Sequence, residues 1–87
     1  MKFLVLWDHP STPEGAGNAL DLVKEDLRKG TIKEWGAFTA GKGFVLLEVE
    51  NEAQAFKETR KYRKYGIQFL SSEIYFTVEE VEKMYST

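Results

Sequence analysis

The sequence predicts a small α+β domain with elements in the order β-α-β-β-α-β and a short helix at the C-terminal end. Four apolar segments have the length and composition of β-strands. Two longer segments with helical spacing separate the first strand from the second and the third from the fourth. At 87 residues the chain has room for one domain, residues 1–87.

The first strand and first helix are predicted from the N-terminal third. Residues 2–8 form a continuous β-prone run, typical of a strand covered on both faces. Residues 9–15 are dense in turn formers and contain both prolines. A helix is expected over Ala16–Lys29, closed by Gly30. Its apolar stripe is expected to consist of Ala16, Leu20, Val23 and Leu27.

A glycine-rich hairpin at Ala40–Gly43 is predicted to join strand 2, Ile32–Thr39, to strand 3, Gly43–Glu50. Strand 3 carries apolar residues on both faces. Its first alternate set suits the face that the helices cover and consists of Val45, Leu47 and Val49. The opposite set consists of Phe44, Leu46 and Glu48.

The second half repeats the helix–strand order. A helix is expected from Asn51 to about Tyr65, with Asn51 and Gln54 spaced as a capping box and Gly66 at its end. We expect its inward side to carry Ala53, Phe56 and Tyr62 or Arg63. Strand 4 is predicted over Ile67–Phe76, with a bulge at Ser71-Ser72. Thr77 and Glu80 form a second capping box that opens a short helix through Met84.

Two βαβ halves with right-handed crossovers and a central hairpin predict a ferredoxin-like plait, in which helices cover one face of a four-stranded antiparallel sheet. The other face would carry Phe44 and Leu46, with either Phe3, Val5 and Trp7 or Leu4 and Leu6 from strand 1. One aromatic residue from strand 2, Trp35 or Phe38, and one from strand 4, Tyr75 or Phe76, would join them. A soluble monomer rarely exposes so large an apolar patch. We therefore expect a homodimer through the helix-free face.

A resemblance supports the same architecture. The strand with Trp35-Gly36-Ala37, the hairpin Gly41–Phe44 and the run Leu47–Ala53 resemble the dimeric α–β barrel superfamily. More narrowly, they are similar to small muconolactone isomerase-like proteins, most of which have no assigned function. The resemblance implies a plait dimer whose two sheets enclose a barrel-like cavity. It implies no particular reaction, and no catalytic residue is transferred.

Composition narrows the classes of function. The chain has no cysteine and one histidine, so we expect no metal site and no cofactor. A net charge of −2 and a pI near 5.4 argue against a general electrostatic hold on nucleic acid. We expect neither a signal peptide nor a membrane span, and hence a cytoplasmic protein. The predominance of lysine and glutamate among the charges resembles proteins from hot environments.

Two residues are candidate proton carriers. His9 follows Asp8 at the end of strand 1, and histidine titrates near neutral pH. Adjacent strand residues point to opposite faces, however, and His9 could simply be an exposed loop residue. Glu48 shares a face with Phe44 and Leu46, where an apolar cavity would raise the pKa of its carboxylate. The alternative for Glu48 is a solvated residue near the strand end, or one that pairs with a lysine.

Aromatic residues are the candidate ligand-binding set: Trp7, Trp35, Phe44 and Tyr75 could line a pocket, although aromatics in strands more often serve packing alone. The basic residues of helix 2 are interpreted as a solvated face. Lys42-Gly43-Phe44 matches the opening of the RNA-recognition strand motif, but Val45 and Leu46 then break that motif. An RNA-binding interpretation is disfavoured.

The sequence thus favours a dimeric protein that binds a small apolar or aromatic molecule between its sheets. A cofactor-independent isomerase activity with Glu48 or His9 as proton carrier is compatible with such a site. The competing hypothesis is a non-enzymatic assembly or regulatory domain without a small-molecule site.

Overall fold

A computed structural model describes residues 1–9 and 13–86, and within them it has four strands and three α-helices. The predicted α+β class is confirmed. The elements are β1 (Lys2–Asp8), α1 (Pro13–Lys29), β2 (Ile32–Ala37), β3 (Lys42–Glu48), α2 (Glu52–Arg60), β4 (Gln68–Ile74) and α3 (Val78–Tyr85). A single 3-10 turn, Arg63–Tyr65, joins α2 to β4.

The four strands form one antiparallel sheet in the order β2-β3-β1-β4. The register pairs Leu4 with Leu46 and Leu6 with Phe44 across β1 and β3. In β1 the buried side chains are Phe3, Val5 and Trp7. Since successive strand residues alternate between faces, Leu4 and Leu6 lie on the helix-free face, which resolves the parity that the sequence left open.

The core lies between the helix-covered face of the sheet and the helices. Alternate residues of β1 and β3 form its floor, and single residues of the helices and of β2 close it. It comprises Phe3, Val5, Trp7, Val23, Ile32, Val45, Leu47, Val49, Ala55 and Tyr62. The assignment of Val45, Leu47 and Val49 to the helix-covered face is confirmed.

Helix α1 differs from the prediction in its start and in its phase. It begins at Pro13, earlier than Ala16, because proline is tolerated in the first turn. The residues buried against the sheet are Ala19, Val23 and Asp26, while Leu20 and Leu27 are 40% and 41% exposed. The predicted stripe was therefore wrong for Leu27, whereas Leu20, although partly exposed, lies on the side of the helix that faces the sheet. The side chain of Ala16, and residues 10–12 of the predicted turn, lie outside the described residues.

Helix α2 is shorter than predicted and rotated about its axis. The Asn51 side chain caps it by accepting from the Gln54 N–H at 2.8 Å. The Gln54 side chain accepts from the Glu50 N–H and not from Asn51, so only half of the predicted capping box forms. Ala55 and Tyr62 are buried, while the Phe56 side chain is 61% exposed.

The predicted inward positions in this helix were therefore wrong for Ala53 and Phe56 and right for Tyr62. Helix α2 ends at Arg60, after which the chain tightens into the 3-10 turn and closes at Gly66 with φ +85°. Ala55 and Tyr62 lie seven residues apart, about two helical turns, and the backbone stays helical to Tyr62, so both face inward while Phe56, about 100° further around the axis, lies on the outer side.

Strand β4 lies at one edge of the sheet and contains an irregularity. Leu6 pairs with Ser71 and Trp7 with Phe69, so Leu70 is the extra residue of a bulge beside the predicted Ser71-Ser72 position. After β4, Thr77 and Glu80 form the predicted capping box in full, and α3 begins at Val78.

Candidate functional site

A cavity of about 200 Å³ lies between the helices and the covered face of the sheet, and we call it the tryptophan cavity. Its wall is almost wholly apolar and is built from all four strands or their ends, from α1 and from the α2 region. The lining residues are Trp7, His9, Ala19, Leu20, Val23, Ile32, Trp35, Ala37, Gly41, Lys42, Val45, Leu47, Glu58, Thr59, Tyr62, Ile67 and Phe69. Gly41, Lys42 and Ala37 are exposed, so the cavity opens to solvent at this hairpin end.

The two tryptophans of the chain stack on each other in this wall. Their ring centroids lie 5.4 Å apart and their planes differ by 13°. The Trp7 ring also packs flat on Gly43, where an added Cβ would lie 2.2 Å from Trp7 Cζ2 and from the Gly36 carbonyl oxygen. Glycine at position 43 is therefore what allows the indole to lie across the strand.

The indole N–H of Trp7 is buried and has no hydrogen-bond partner among the described residues. Its nitrogen has almost no accessible surface, so neighbouring protein atoms enclose it and it does not face the open space of the cavity. Trp7 thus presents ring carbon atoms to a ligand, and recognition by this residue would depend on shape and stacking.

His9 stands at the end of β1 and contributes to the cavity lining. Its Nε2 lies 3.2 Å from the Tyr65 carbonyl oxygen, and its backbone N–H donates to the Gly41 carbonyl oxygen at 2.9 Å. These contacts hold the imidazole between the β2–β3 hairpin and the turn after α2. His9 therefore lies beside the space that a ligand would occupy.

A buried polar cluster fastens α1 to the α2 region behind the cavity. Asp26 is 1% exposed, and it accepts from Lys61 Nζ at 2.8 Å and from the Tyr62 hydroxyl at 2.7 Å. Lys61 also pairs with Glu58 at 2.7 Å. Burial lowers the pKa of Lys61, but hydrogen bonds to Asp26 and Glu58 outweigh that effect and raise it.

The Tyr62 hydroxyl is held in its neutral form by the same cluster. Burial and then the hydrogen bond to Asp26 raise its pKa above the usual range. Tyr62 is therefore protonated at neutral pH and donates to Asp26. Its ring lines the tryptophan cavity, so the cluster positions part of the wall.

The residues expected from the sequence fall into two groups. Trp7, Trp35 and His9 lie together around the tryptophan cavity. Phe44 lies on the helix-free face, where its ring covers Gly36 and lies 6.1 Å from the Phe38 ring. Glu48 and Tyr75 lie away from the cavity: the Glu48 carboxylate is 3.7 Å from Lys33 Nζ, and the Tyr75 N–H donates to the Lys2 carbonyl oxygen.

Of the α1 residues that line the cavity, the sequence placed Leu20 and Val23 in the inward stripe but did not indicate Ala19. Ala19 is a small buried residue of α1 in the cavity lining, and Phe69 of β4 and Ile67, just before that strand, line the cavity as well. A signal for Ala19 was present, because it lies four residues before Val23 and seven before Asp26. Because this stripe includes an aspartate, the pattern did not indicate that it is a buried face.

Comparison with models of known protein families and with curated proteins finds no match to this chain. Within residues 1–9 and 13–86, no group of three or more His, Cys, Asp or Glu side chains is arranged to hold a metal ion. No helix in the same described part of the chain is long and apolar enough to cross a membrane.

Proposed function

We propose that this domain binds a small, mostly apolar molecule, about the size of a substituted aromatic ring, in the tryptophan cavity. The observation that carries the proposal is an open cavity with a stacked tryptophan pair and apolar side chains in its wall. Ligand sites in proteins are typically concave, lined by apolar and aromatic groups, and marked by a few polar residues. His9, Lys42 and Thr59 are polar residues of this kind.

The size of the cavity limits the ligand class. An engineered apolar cavity of about 150 Å³ in another protein binds benzene. A volume of about 200 Å³ thus suits one aromatic ring with a small substituent, and it is too small for a nucleotide or a large cofactor. This site lies within one chain. A cavity between two sheets, as the sequence favours, stays a prediction for the assembled dimer.

The test uses benzene, toluene and acetophenone as probes and tryptophan fluorescence as the readout. Both tryptophans of the chain line the cavity, so a saturable change in emission reports on this site. Ligand bound to the folded state also raises the melting temperature, by RT ln(1 + [L]/Kd) in free energy. We expect both signals at millimolar or lower probe concentration.

Ala19→Leu is the variant that tests the location. Its added carbons extend from a buried lining position, so the cavity should fill and the probes should no longer bind. If the cavity is present, the larger side chain fills it with little loss of folding stability. Overpacking a solid core would instead lower the stability by about 1–3 kcal/mol. Ala53→Leu is the matched control, because Ala53 is an exposed helical alanine outside the cavity lining. Unchanged probe binding by Ala19→Leu would contradict the proposed site.

Proton transfer is the second candidate function, and the position of His9 favours it. An imidazole at the edge of an apolar cavity can carry a proton between two positions of a bound ring, as an isomerase requires. Glu48 lies away from the tryptophan cavity, so this reaction would depend on His9. If the domain binds the probes but catalyses no reaction, the binding proposal still holds. His9→Gln should then bind the probes as the wild type does.

Assembly through the helix-free face completes the proposal. Leu4 and Leu6 pair in register with Leu46 and Phe44, and they are 37% and 36% exposed. The strand order β2-β3-β1-β4 is compatible with a ferredoxin-like plait, and this supports the proposed dimeric α–β barrel architecture. Burying about 600 Å² per subunit would contribute on the order of 15 kcal/mol before the entropic cost of association. Sizing with light scattering tests this, and Leu46→Asp should release the pair.

A further inference from the structure

A second concavity, which we call the α2–β4 groove, runs between helix α2 and the edge strand β4. Its volume is about 660 Å³. Three large apolar side chains in its lining are exposed: Phe56 by 61%, Leu70 by 53% and Ile74 by 40%. β4 is the last strand of the sheet, so the backbone groups on its outer side have no strand partner within the described part of the chain. The bulge at Leu70 interrupts this edge, so the regular stretch Ser71–Ile74 is the part suited to strand pairing.

Helix α2 presents a symmetric pattern of side chains to this groove. Glu52, Phe56 and Arg60 follow one another at intervals of four residues and share one face of the helix. All three line the groove. Among the described residues, no ion pair joins Glu52 or Arg60 to another charged group, and the Arg60 guanidinium lies 5.9 Å from the centre of the Phe56 ring. The pattern places opposite charges at equal distances on either side of a central aromatic residue.

We propose that the α2–β4 groove is an interface to a second copy of this chain, related by a two-fold axis that passes near Phe56 and β4. An antiparallel approach of two α2 helices places Phe56 against the partner subunit's Phe56. Glu52 then faces the partner subunit's Arg60, and Arg60 faces the partner subunit's Glu52. A two-fold axis repeats each ion pair, so the charge pattern on the interface must be complementary to itself.

The same two-fold axis can also relate the β4 strands of the two copies. Two β4 strands that run antiparallel at their free edges join two four-stranded sheets into one of eight strands. The two-fold axis then stands perpendicular to the sheet, so both α2 helices lie on the same side of it. A seven-residue strand and a nine-residue helix from each copy provide the contact. Specific interfaces bury at least about 600 Å² per partner, and we expect this surface to lie near that lower end.

This interface is separate from the helix-free face, because the two involve different surfaces of the domain. If both form and their two-fold axes intersect at right angles, the assembly closes at four chains. If only the α2–β4 groove pairs, it has two. The two surfaces can be distinguished with variants that each change one of them.

The test is a charge exchange on the full-length chain, followed by light scattering and sedimentation over a range of protein concentrations. Glu52→Arg places a new guanidinium opposite the partner subunit's Arg60, and Arg60→Glu places two carboxylates together, each contact being repeated by symmetry. We expect each single substitution to weaken association at least tenfold, since like charges in an interface are costly. The double variant Glu52→Arg/Arg60→Glu restores opposite charges and should recover most of the wild-type association.

Recovery in the double variant distinguishes an interface from a local effect on the helix. Glu52 lies in the first turn of α2, where an acidic residue is favourable, and the double variant still lacks it. Lys57→Glu is the matched control, since Lys57 is exposed on α2 and does not line the groove. It should leave the association constant unchanged.

The masses of these variants distinguish this interface from a dimer that forms through the helix-free face. Arg60→Glu should halve the assembled mass whether or not Leu46→Asp also does so. Equal mass for wild type and Arg60→Glu at every concentration would overturn the interface, whatever Leu46→Asp shows. Loss of association in the double variant as in the singles would overturn the ion pairs and the two-fold arrangement with them.

Discussion

Removing the Asp26–Tyr62 hydrogen bond should destabilise the fold by an amount that depends on which partner is lost. Asp26 accepts from Tyr62 at 2.7 Å and from Lys61 at 2.8 Å, and its side chain is 2% exposed. Tyr62→Phe leaves Asp26 with Lys61, so we expect a loss of about 1.5 kcal/mol, the lower end for a bond to a charged group. Asp26→Ala leaves the tyrosine hydroxyl buried and unpaired and removes a charge partner.

We expect Asp26→Ala to cost about 3 kcal/mol, at the lower end for a broken buried pair, because Lys61 keeps its contact with Glu58. In the Asp26→Ala background, Tyr62→Phe should be neutral or stabilising, because it removes an unsatisfied hydroxyl. The double-mutant cycle therefore has a coupling free energy of at least about 1.5 kcal/mol.

Urea unfolding, followed by circular dichroism, measures each corner of the cycle, and m-values establish whether the transitions are comparable. For a domain of this size, each kcal/mol lowers the melting temperature by about 4–8 °C. The same cost for Tyr62→Phe in both backgrounds would refute the hydrogen bond as the source of stability. Helix packing alone would then account for the cluster.

Two further predictions concern a glycine and a helix cap. Gly43→Ala should destabilise the fold by about 1–3 kcal/mol and alter tryptophan emission, because the added Cβ would lie 2.2 Å from Trp7. Gly17→Ala is the control: nothing lies within 4 Å of its added Cβ, so it should stabilise α1 by about 0.5–1 kcal/mol. For the cap, hydrogen bonds from Lys2 and then from the Thr77 N–H lower the pKa of Glu80 to about 2. Because this folded-state pKa lies below the unfolded value of 4.5, the stabilising effect is present above pH 4.5 and is lost as the pH falls towards 2. The protection factors of the α3 amides, which compare each exchange rate with the intrinsic rate at the same pH, should therefore fall over that interval in the wild type and not in Glu80→Gln, and equal profiles would contradict the assignment.

Local signals in the sequence predicted much of the fold. Thr77 and Glu80 form the expected capping box, and residues 2–8 form the expected first strand. These features depend on residues that are neighbours along the chain, so spacing alone is informative. The alternation in β3 likewise predicted which side faces the helices.

Features that depend on distant contacts could not be predicted in the same way. Asp26 is buried because Lys61 and Tyr62, 35 and 36 residues away, meet it, and this pairing sets the phase of α1. The place of the cavity follows from that phase and from the way Trp7 lies on Gly43. The sequence therefore predicted Trp7, Trp35 and His9 as candidates without indicating that they share a cavity on the helix-covered side.

The central claim, that the tryptophan cavity holds a small aromatic molecule, is tested most directly by NMR of the two indole N–H groups. Only two such cross-peaks exist, and Trp35→Phe assigns them. Titration with toluene should shift both peaks saturably, through the ring current of a molecule bound against the indole rings, while the side-chain methyl signals of Leu4 and Leu6 on the helix-free face stay in place. Unmoved indole peaks up to the solubility of toluene would contradict the claim.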